Sequence, residues 1–325
     1  MKPNKGNFCG GNYQDWVEVM LTSKCNGSCE WCVDKNGFHP KQEVPYHVLT
    51  DVLKHLGKKN VILLGGEPSM YKHLEQLVRQ LYNNGHSVYI TTNGSRMTKL
   101  SNIPNFTGVN ISIHHYDLSR NSKITGINLG YPQLKANISR LYWYGTAKTR
   151  LNCTLIKGQI DSVTEITKYI EFAKKLGVAS VRFAELKHDD KFVDLYKLYG
   201  TKYGLTSDPF KCGCSTDAII NGMPVSFRQM CGIQTKFRTF PKDPETVGNK
   251  KSVLYYDGNV YDGWQTKQIK ENKMPKKLTV KQILKRVKSG KMTTERAAQL
   301  LARKDSIIVE TQIVENRFEG VHCQY

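Results

Sequence analysis

The sequence contains no hydrophobic run long enough to cross a bilayer. Its first residues, MKPNKGNFCGGN, lack the apolar core of a secretory signal. Neither a low-complexity tract nor a long-period internal repeat is found. These absences exclude the membrane-spanning and repeat classes. They predict a cytoplasmic globular protein without a membrane partner.

Acidic residues are scarce: 28 Asp and Glu stand against 48 Lys and Arg, a formal net charge of +20. Such an excess indicates a polyanionic partner, or else it only keeps the protein soluble. Hydrophobic residues make up 39% of the 325 residues, which is enough to bury a core. In a reducing cytoplasm the nine cysteines favour metal binding over disulfides.

Strand-like and helix-like segments alternate along the first part of the chain. Six strand patterns, beginning with WVEVMLT at residues 16–22, are separated by helical patterns such as SVTEITKYIEFAKKLG. This repetition favours parallel pairing through right-handed crossovers. The sequence therefore predicts an α/β fold with a partial (βα)6 barrel at residues 1–187. A cysteine-bearing extension with a hairpin is predicted at 188–264, and a basic helical tail at 265–325.

The loop after the first strand brings three cysteines close together. Cys25, Cys29 and Cys32 have the spacing C-x3-C-x2-C, and Trp31 precedes the last of them. Active sites of parallel barrels lie at this end of the strands. Three thiolates can bind three irons of a [4Fe–4S] cluster and leave the fourth iron open to another ligand. By spacing alone, a zinc site with a distant fourth ligand is the alternative.

The cysteine spacing and the aromatic residue before Cys32 resemble the radical S-adenosylmethionine (radical SAM) superfamily. The resemblance implies that the open iron binds the amino and carboxylate groups of S-adenosylmethionine. It further implies that an electron from the cluster cleaves this cofactor to a 5′-deoxyadenosyl radical. Cys25, Cys29 and Cys32 are then the cluster ligands and catalytic residues, and Trp31 lies in the cofactor site. A reductase or flavodoxin is implied as the electron donor.

Two further loops resemble the same superfamily. Gly65-Gly66-Glu67-Pro68 follows the second strand and is similar to the GGEP motif that binds the methionine ammonium. Glycines allow a close backbone approach, and a carboxylate accepts hydrogen bonds from an ammonium. Asn93 follows the third strand, where it either contacts the cofactor or caps the turn.

Alternation along the later strands predicts which polar side chains line the barrel. Ser112 and His114 are expected to point inward. Ser112 matches the ribose-contacting position of the superfamily, and His114 contacts cofactor or substrate or is a structural histidine. The same parity places Asn152 and Arg182 inside, with Arg182 able to hold a carboxylate of cofactor or substrate. Cys153 is expected outside, as a buried thiol.

A second set of cysteines, Cys212, Cys214 and Cys231, follows the predicted barrel. The spacing leaves structural zinc, a second iron–sulfur cluster and unliganded thiols open. Candidate fourth ligands are Cys9, His322 and Cys323. The segment VLYYDGNVYDGW resembles the hairpin of SPASM and twitch extensions, although Gly263 and Trp264 stand where those extensions usually carry a cysteine.

Positive charge is concentrated near the end of the chain. Residues 265–304 contain thirteen Lys or Arg and two Glu, a net +11, about half of the total. Three tyrosines and Trp264 precede this block, and aromatic residues beside positive charge suit stacking on bases. A solvated helical face is the alternative. The block predicts a nucleic-acid partner, DNA in particular.

Together these features predict an enzyme that reductively cleaves S-adenosylmethionine and abstracts hydrogen from a nucleic-acid base or a modified base. The compact basic chain is also similar to phage-encoded radical SAM proteins that act in DNA thymine hypermodification. A peptide (RiPP) maturase is the first alternative. A zinc-dependent nucleic-acid-binding protein without catalysis is the second.

Overall fold

The computed structural model describes residues 15–32, 34–35, 39–40, 42–143, 148–186, 190–207, 215–230 and 252–262. Contacts divide the chain into two compact units, Met1–Lys267 and Gln268–Tyr325, and every described residue belongs to the first. The basic block and the second set of cysteines lie outside the described residues. Predictions about them stay predictions.

Six parallel strands pair in chain order. They are β1 Trp16–Met20, β2 Asn60–Leu64, β3 Ser87–Thr92, β4 Gly108–Ser112, β5 Lys148–Leu155 and β6 Ser180–Glu185. The helices are α1 Tyr46–Leu56, α2 Leu74–Asn83, α3 Met97–Leu100, α4 Leu118–Thr125, α5 Tyr131–Trp143, α6 Val163–Leu176 and α7 Leu195–Tyr199. The sheet is parallel across β1–β6 and open, which confirms the predicted partial barrel of six strands.

Capping residues in the sequence set the ends of the longest helix, α6. The Ser162 side chain accepts a hydrogen bond from the Glu165 backbone N–H at the first turn. Gly177 ends the helix with φ of 81°, a backbone conformation that glycine adopts without steric cost. These local signals explain why α6 coincides with the helix expected from the sequence.

Four more strands extend the sheet at both edges: β7 Ser215–Ile220, β8 Met223–Arg228, β9 Ser252–Tyr255 and β10 Val260–Asp262. The strand order is β10-β9-β1-β2-β3-β4-β5-β6-β8-β7. The antiparallel β9–β10 pair confirms the predicted hairpin. The β7–β8 hairpin was not predicted, although Asn221-Gly222 is a strong turn signal with φ of 50° and 77°.

Buried side chains alternate with less buried ones along β3, β5 and β6, and the buried apolar ones form a core with the helices. Val109 and Ile111 of β4, and Val181 and Phe183 of β6, are fully buried in this core. Cys153 lies in the same core, as the alternation predicts. The intervening side chains lie on the opposite, concave face of the sheet. No helix within the described ranges is long and apolar enough to cross a membrane.

Candidate active site

The three clustered cysteines lie in the loop between β1 and α1, here called the cysteine loop, at the carboxyl ends of the parallel strands. None forms a disulfide; Cys25 is exposed, and Cys29 and Cys32 are half-buried. Burial raises the pKa of the Cys29 thiol, and the nearby Cys32 and Cys25 raise that pKa further. The three sulfurs are therefore close enough to interact electrostatically.

The three cysteines of this loop could bind either a single zinc ion or an iron–sulfur cluster. Within the described ranges, no three Cys, His, Asp or Glu side chains converge on a point where one metal ion would bind. A structural zinc site requires four such donors around a single ion. An iron–sulfur cluster is instead surrounded by its thiolates. Three neighbouring thiolates would hold three irons of a [4Fe–4S] cluster and leave the fourth iron open to another ligand.

Helix α4 holds the cysteine loop from one side. The Ser28 backbone N–H donates to the Thr125 carbonyl oxygen over 2.8 Å, and the Cys29 thiol lies 4.0 Å from the same oxygen. Gly126 has φ of 74°, a backbone conformation that favours glycine, and a Cβ there would lie 3.3 Å from the Ser28 backbone nitrogen. Helix α4 was not predicted from the sequence, although Asp117 at its N-cap is a usable signal.

The glycine pair after β2 holds the same loop from the other side. The Gly66 N–H donates to the Thr22 carbonyl over 2.7 Å, and the Glu67 N–H donates to the Lys24 carbonyl over 2.7 Å. A Cβ at Gly65 would lie 2.6 Å from the Thr22 oxygen, and one at Gly66 would lie 2.4 Å from the Lys24 oxygen. Both glycines are needed because the two loops meet backbone to backbone.

The Glu67 carboxylate joins the ends of β2 and β3. Its side chain is 1% exposed. Oε1 accepts hydrogen bonds from the Ser69 N–H over 3.0 Å and the Thr92 hydroxyl over 2.7 Å. Oε2 accepts one from the Asn93 N–H over 2.7 Å. Through its bond to the Ser69 N–H, the Glu67 side chain also caps the short 3-10 helix Pro68–Met70. Contact with the methionine ammonium stays a prediction for Glu67, Gly65, Gly66 and Pro68.

The Asn93 side chain closes a turn and also contacts the cysteine loop. Its Oδ1 accepts the Ser95 N–H over 3.0 Å, which closes the turn and fixes the orientation of the amide. Its Nδ2 donates to Asn26 Oδ1 over 3.0 Å and lies 4.0 Å from Cys25 Sγ. The Gly27 N–H also points to this sulfur, over 3.3 Å. N–H groups around a ligating sulfur stabilise its negative charge.

His114 is buried, and its ring lies against the Trp31 ring. The Thr154 N–H donates to His114 Nδ1 over 3.0 Å, so the neutral ring carries its proton on Nε2. Burial lowers the pKa of His114 to about 4. The His114 and Trp31 rings meet edge to face with centroids 6.2 Å apart. These contacts support the structural alternative for His114, and cofactor contact by Trp31 or Ser112 stays a prediction.

Arg150, Arg182 and Arg228 lie on the concave face of β5, β6 and β8, and we call them the arginine wall. Burial, and then the charge of Arg182, lowers the pKa of Arg150 to about 9. Arg228 lowers this pKa too, whereas Asp217 raises it. Positive charges therefore crowd a partly desolvated surface, which favours an anionic ligand.

Strand alternation predicted Asn152 and Arg182 on this surface, whereas Arg150 and Arg228 were not predicted. Asn152 lies opposite Arg182 in the β5–β6 register, and the Arg150 Nε donates to Asn152 Oδ1 over 3.1 Å. Arg150 precedes Asn152 by two residues, so the same alternation would have placed it inside. Arg228 could not be placed on this surface from the sequence, because its position depends on the pairing of β8 with β6.

A parallel open barrel with three cysteines at the carboxyl ends of its strands defines a class of iron–sulfur proteins. The sequence profile of the Radical SAM superfamily matches residues 19–173. Residues 19–173, just under half of the chain, therefore form a radical SAM domain, and proteins of this superfamily use a [4Fe–4S] cluster and S-adenosylmethionine.

Curated relatives include a GTP 3′,8-cyclase of Haemophilus influenzae (strain PittEE), 27% identical over 202 residues, which covers 57% of this chain and 58% of that one. Another is a GTP 3′,8-cyclase of Aquifex aeolicus (strain VF5), 26% identical over 258 residues and covering 75% and 72%. The chain thus spans less than two thirds of the Haemophilus protein. Streptococcus suis SuiB bound to S-adenosylmethionine has the same fold, with a TM-score of 0.54, 17% identity, and coverage of 76% of this chain and 58% of that one.

Proposed function

We propose that the protein reductively cleaves S-adenosylmethionine and abstracts a hydrogen atom from a free nucleotide. The observation that carries the proposal is the arginine wall, on the sheet whose carboxyl edge bears the cysteine loop. When bound, the cluster and S-adenosylmethionine supply the electron and the radical. The residues of the chain bind and orient the substrate.

The charge of the arginine wall supports a phosphate-bearing substrate. Arginine binds phosphate through two parallel N–H donors, and such charge-assisted bonds are strong where water is partly excluded. Among the described carboxylates, Asp217 raises the pKa of Arg150, whereas the charges of Arg182 and Arg228 lower it. A bound polyphosphate would relieve the repulsion among these guanidinium groups.

A nucleotide base in the substrate is supported by the curated relatives, which are named for an activity on GTP. A purine nucleotide is therefore the first substrate to test. The predicted DNA or RNA partner rests on residues 265–304, outside the described ranges, and stays a prediction. The likeness to SuiB shows the fold alone and does not favour a peptide.

The test is an anaerobic assay with dithionite, S-adenosylmethionine and one candidate substrate at a time. GTP, ATP, guanosine and a DNA oligonucleotide are compared by the amount of 5′-deoxyadenosine formed. We expect a triphosphate to stimulate its formation and, when deuterated, to transfer deuterium into it. Stimulation by the oligonucleotide alone would replace the free nucleotide with nucleic acid as the substrate.

Arg150→Met should weaken binding of the triphosphate. A hydrogen bond to a charged group is worth about 1.5–3 kcal/mol, so KM should rise by roughly ten- to a hundredfold. KM for the nucleoside should change far less, because it lacks the phosphates. Arg79→Met, on the exposed side of α2, is the matched control and should leave both values unchanged.

Arg182→Met separates contact with the substrate from contact with the cofactor. If Arg182 binds the phosphates of the proposed substrate, KM for the triphosphate rises and the Kd of S-adenosylmethionine is unchanged. If it binds the cofactor carboxylate, the reverse pattern is expected. Equal values for wild type, Arg150→Met and Arg182→Met would remove the arginine wall from the substrate site.

A further inference from the structure

The two edge strands of the sheet, β10 and β7, differ in how they are protected. β10 has three residues, and so short an edge strand offers little backbone for pairing. β7 has six residues, and none of the described strands pairs with its outer side. Its sequence, STDAII, contains no lysine or proline, and no bulge interrupts its register with β8. An edge without these devices is a template for pairing with another strand.

The β7–β8 hairpin also differs from the rest of the chain in charge. Residues 215–227 contain no Lys or Arg, whereas the whole chain contains 48 and has a net charge of +20. Asp217 is the charged residue of this segment, and the Ile219 side chain is 75% exposed. Two copies of so basic a chain repel each other, and the repulsion is weakest where the surface carries no positive charge. The hairpin is therefore a surface through which two copies can approach.

The turn of this hairpin determines which backbone groups of β7 point outward. Residues 221–222 form a two-residue turn with φ of 50° and 77°, and Ile220 pairs with Met223 across it. In such a hairpin the flanking residues exchange hydrogen bonds, and the pattern repeats at every second residue. The even-numbered residues of β7 therefore bond to β8. The odd-numbered ones direct their N–H and C=O groups away from β8, and these are Ser215, Asp217 and Ile219.

We propose that β7 pairs antiparallel with β7 of a second copy of this chain, so that the two sheets join about a two-fold axis. The outward N–H and C=O groups of each strand would then bond to those of the other. Because the contact uses the same strand of both copies, it closes at two copies and leaves neither β7 edge free. The proposal is independent of the reaction proposed above.

The side chains of β7 favour one register for this pairing. The longest overlaps of the strand with itself place the two-fold axis at Asp217 or at Ala218. An axis at Asp217 puts two carboxylates directly opposite each other, which is unfavourable. An axis at Ala218 puts the two Ala218 residues opposite each other and Asp217 opposite Ile219. It also pairs Thr216 with Ile220, two β-branched side chains that suit neighbouring strands.

The contact should be weak and should strengthen with salt. Two six-residue strands bury less area than a standard protein interface, so we expect a Kd on the order of 10 µM. Added salt should tighten the dimer, because it screens the repulsion between two chains of net charge +20. A dimer held by ion pairs would weaken instead.

Sedimentation equilibrium of the full chain from about 1 to 100 µM tests the proposal across this affinity range. The mass of wild type should rise from 37.0 kDa towards twice that value. Ile219→Lys places a charge on the pairing edge and should raise the Kd of the dimer at least roughly tenfold. Val163→Lys is the matched control, since it adds the same charge at another exposed apolar residue, 44% exposed on α6. Its Kd should stay within about twofold of wild type.

Hydrogen exchange locates the contact without any substitution. The outward N–H groups of Asp217 and Ile219 should exchange slowly at high protein concentration and faster on dilution, because only the dimer protects them. The Ala218 N–H, which bonds to β8, should be protected at both concentrations.

A disulfide tests the register. Ala218→Cys places two thiols on a non-hydrogen-bonded pair, where the Cα atoms are about 4.5 Å apart and a disulfide can form. Ser215→Cys is the control, because its two copies would lie about 20 Å apart. The linked peptide is identified by mass, which separates it from links between the nine native cysteines. A link through residue 215 and none through residue 218 would reject the register.

Three results would overturn the proposal as a whole. A mass of 37.0 kDa at every concentration would exclude the second copy. Protection of Asp217 and Ile219 that does not change on dilution would assign the edge to another segment of the same chain. Equal weakening by Ile219→Lys and Val163→Lys would show that association depends on net charge and not on β7.

Discussion

The Cys29→Ala variant is expected to form no 5′-deoxyadenosine above background when it is reduced with dithionite in the presence of S-adenosylmethionine. Cys29 is one of three thiolates of the cysteine loop, and the described residues include no further cysteine near them. With two thiolates left, the cluster should not assemble, so bound iron should fall with activity. Product formation is followed by chromatography and iron by elemental analysis.

Cys153→Ala is the matched control. This thiol is 1% exposed and packs in the core between the sheet and the helices. Its replacement should lower thermal stability slightly and leave the iron content and activity near those of wild type. Wild-type product formation by Cys29→Ala would contradict the assignment of the cysteine loop as the catalytic site.

The second large effect is expected at Glu67. In Glu67→Gln, an NH2 group replaces one of two carboxylate oxygens that accept N–H and O–H donors. At least one buried donor then faces another donor, which costs about 1–3 kcal/mol. We expect a lower melting temperature and an affinity for S-adenosylmethionine reduced by roughly tenfold or more. Calorimetry and equilibrium binding measure the two effects.

Thr92→Val tests whether Glu67 contacts the cofactor or only positions the loops. This change removes one hydrogen bond to Oε1 and leaves the carboxylate in place. If Glu67 binds the methionine ammonium, Thr92→Val should keep most of the affinity that Glu67→Gln loses. If Glu67 acts only through loop position, affinity should fall in both variants in proportion to their loss of stability. Unchanged affinity in Glu67→Gln would exclude both roles.

Short-range patterns predicted the six parallel strands and most of the helices between them. Alternating burial marks β3, β5 and β6, and the local caps Ser162 and Gly177 set the two ends of α6. These features depend on residues a few positions apart. The β7–β8 hairpin was missed because the Asn221-Gly222 turn signal was not weighed, and Arg228 was missed with it.

The role of Glu67 illustrates what a motif cannot show. The sequence places a carboxylate after two glycines, which suits an ammonium ligand. Only the fold brings Thr92 and Asn93, about 25 residues further along the chain, within hydrogen-bond distance of that carboxylate. The structure adds a positioning role to the predicted binding role, because strand pairing sets which loops meet.

Local spacing and periodicity predicted the radical SAM motifs, the parallel strands and the loop that carries the cysteines. Which charges share a surface could not be predicted in this way, because it depends on how the strands pair. Arg150, Arg182 and Arg228 come from three different strands, β5, β6 and β8. Electrostatic energy depends on distance in space rather than along the chain. Net charge alone therefore indicated an anionic partner without showing where it would bind.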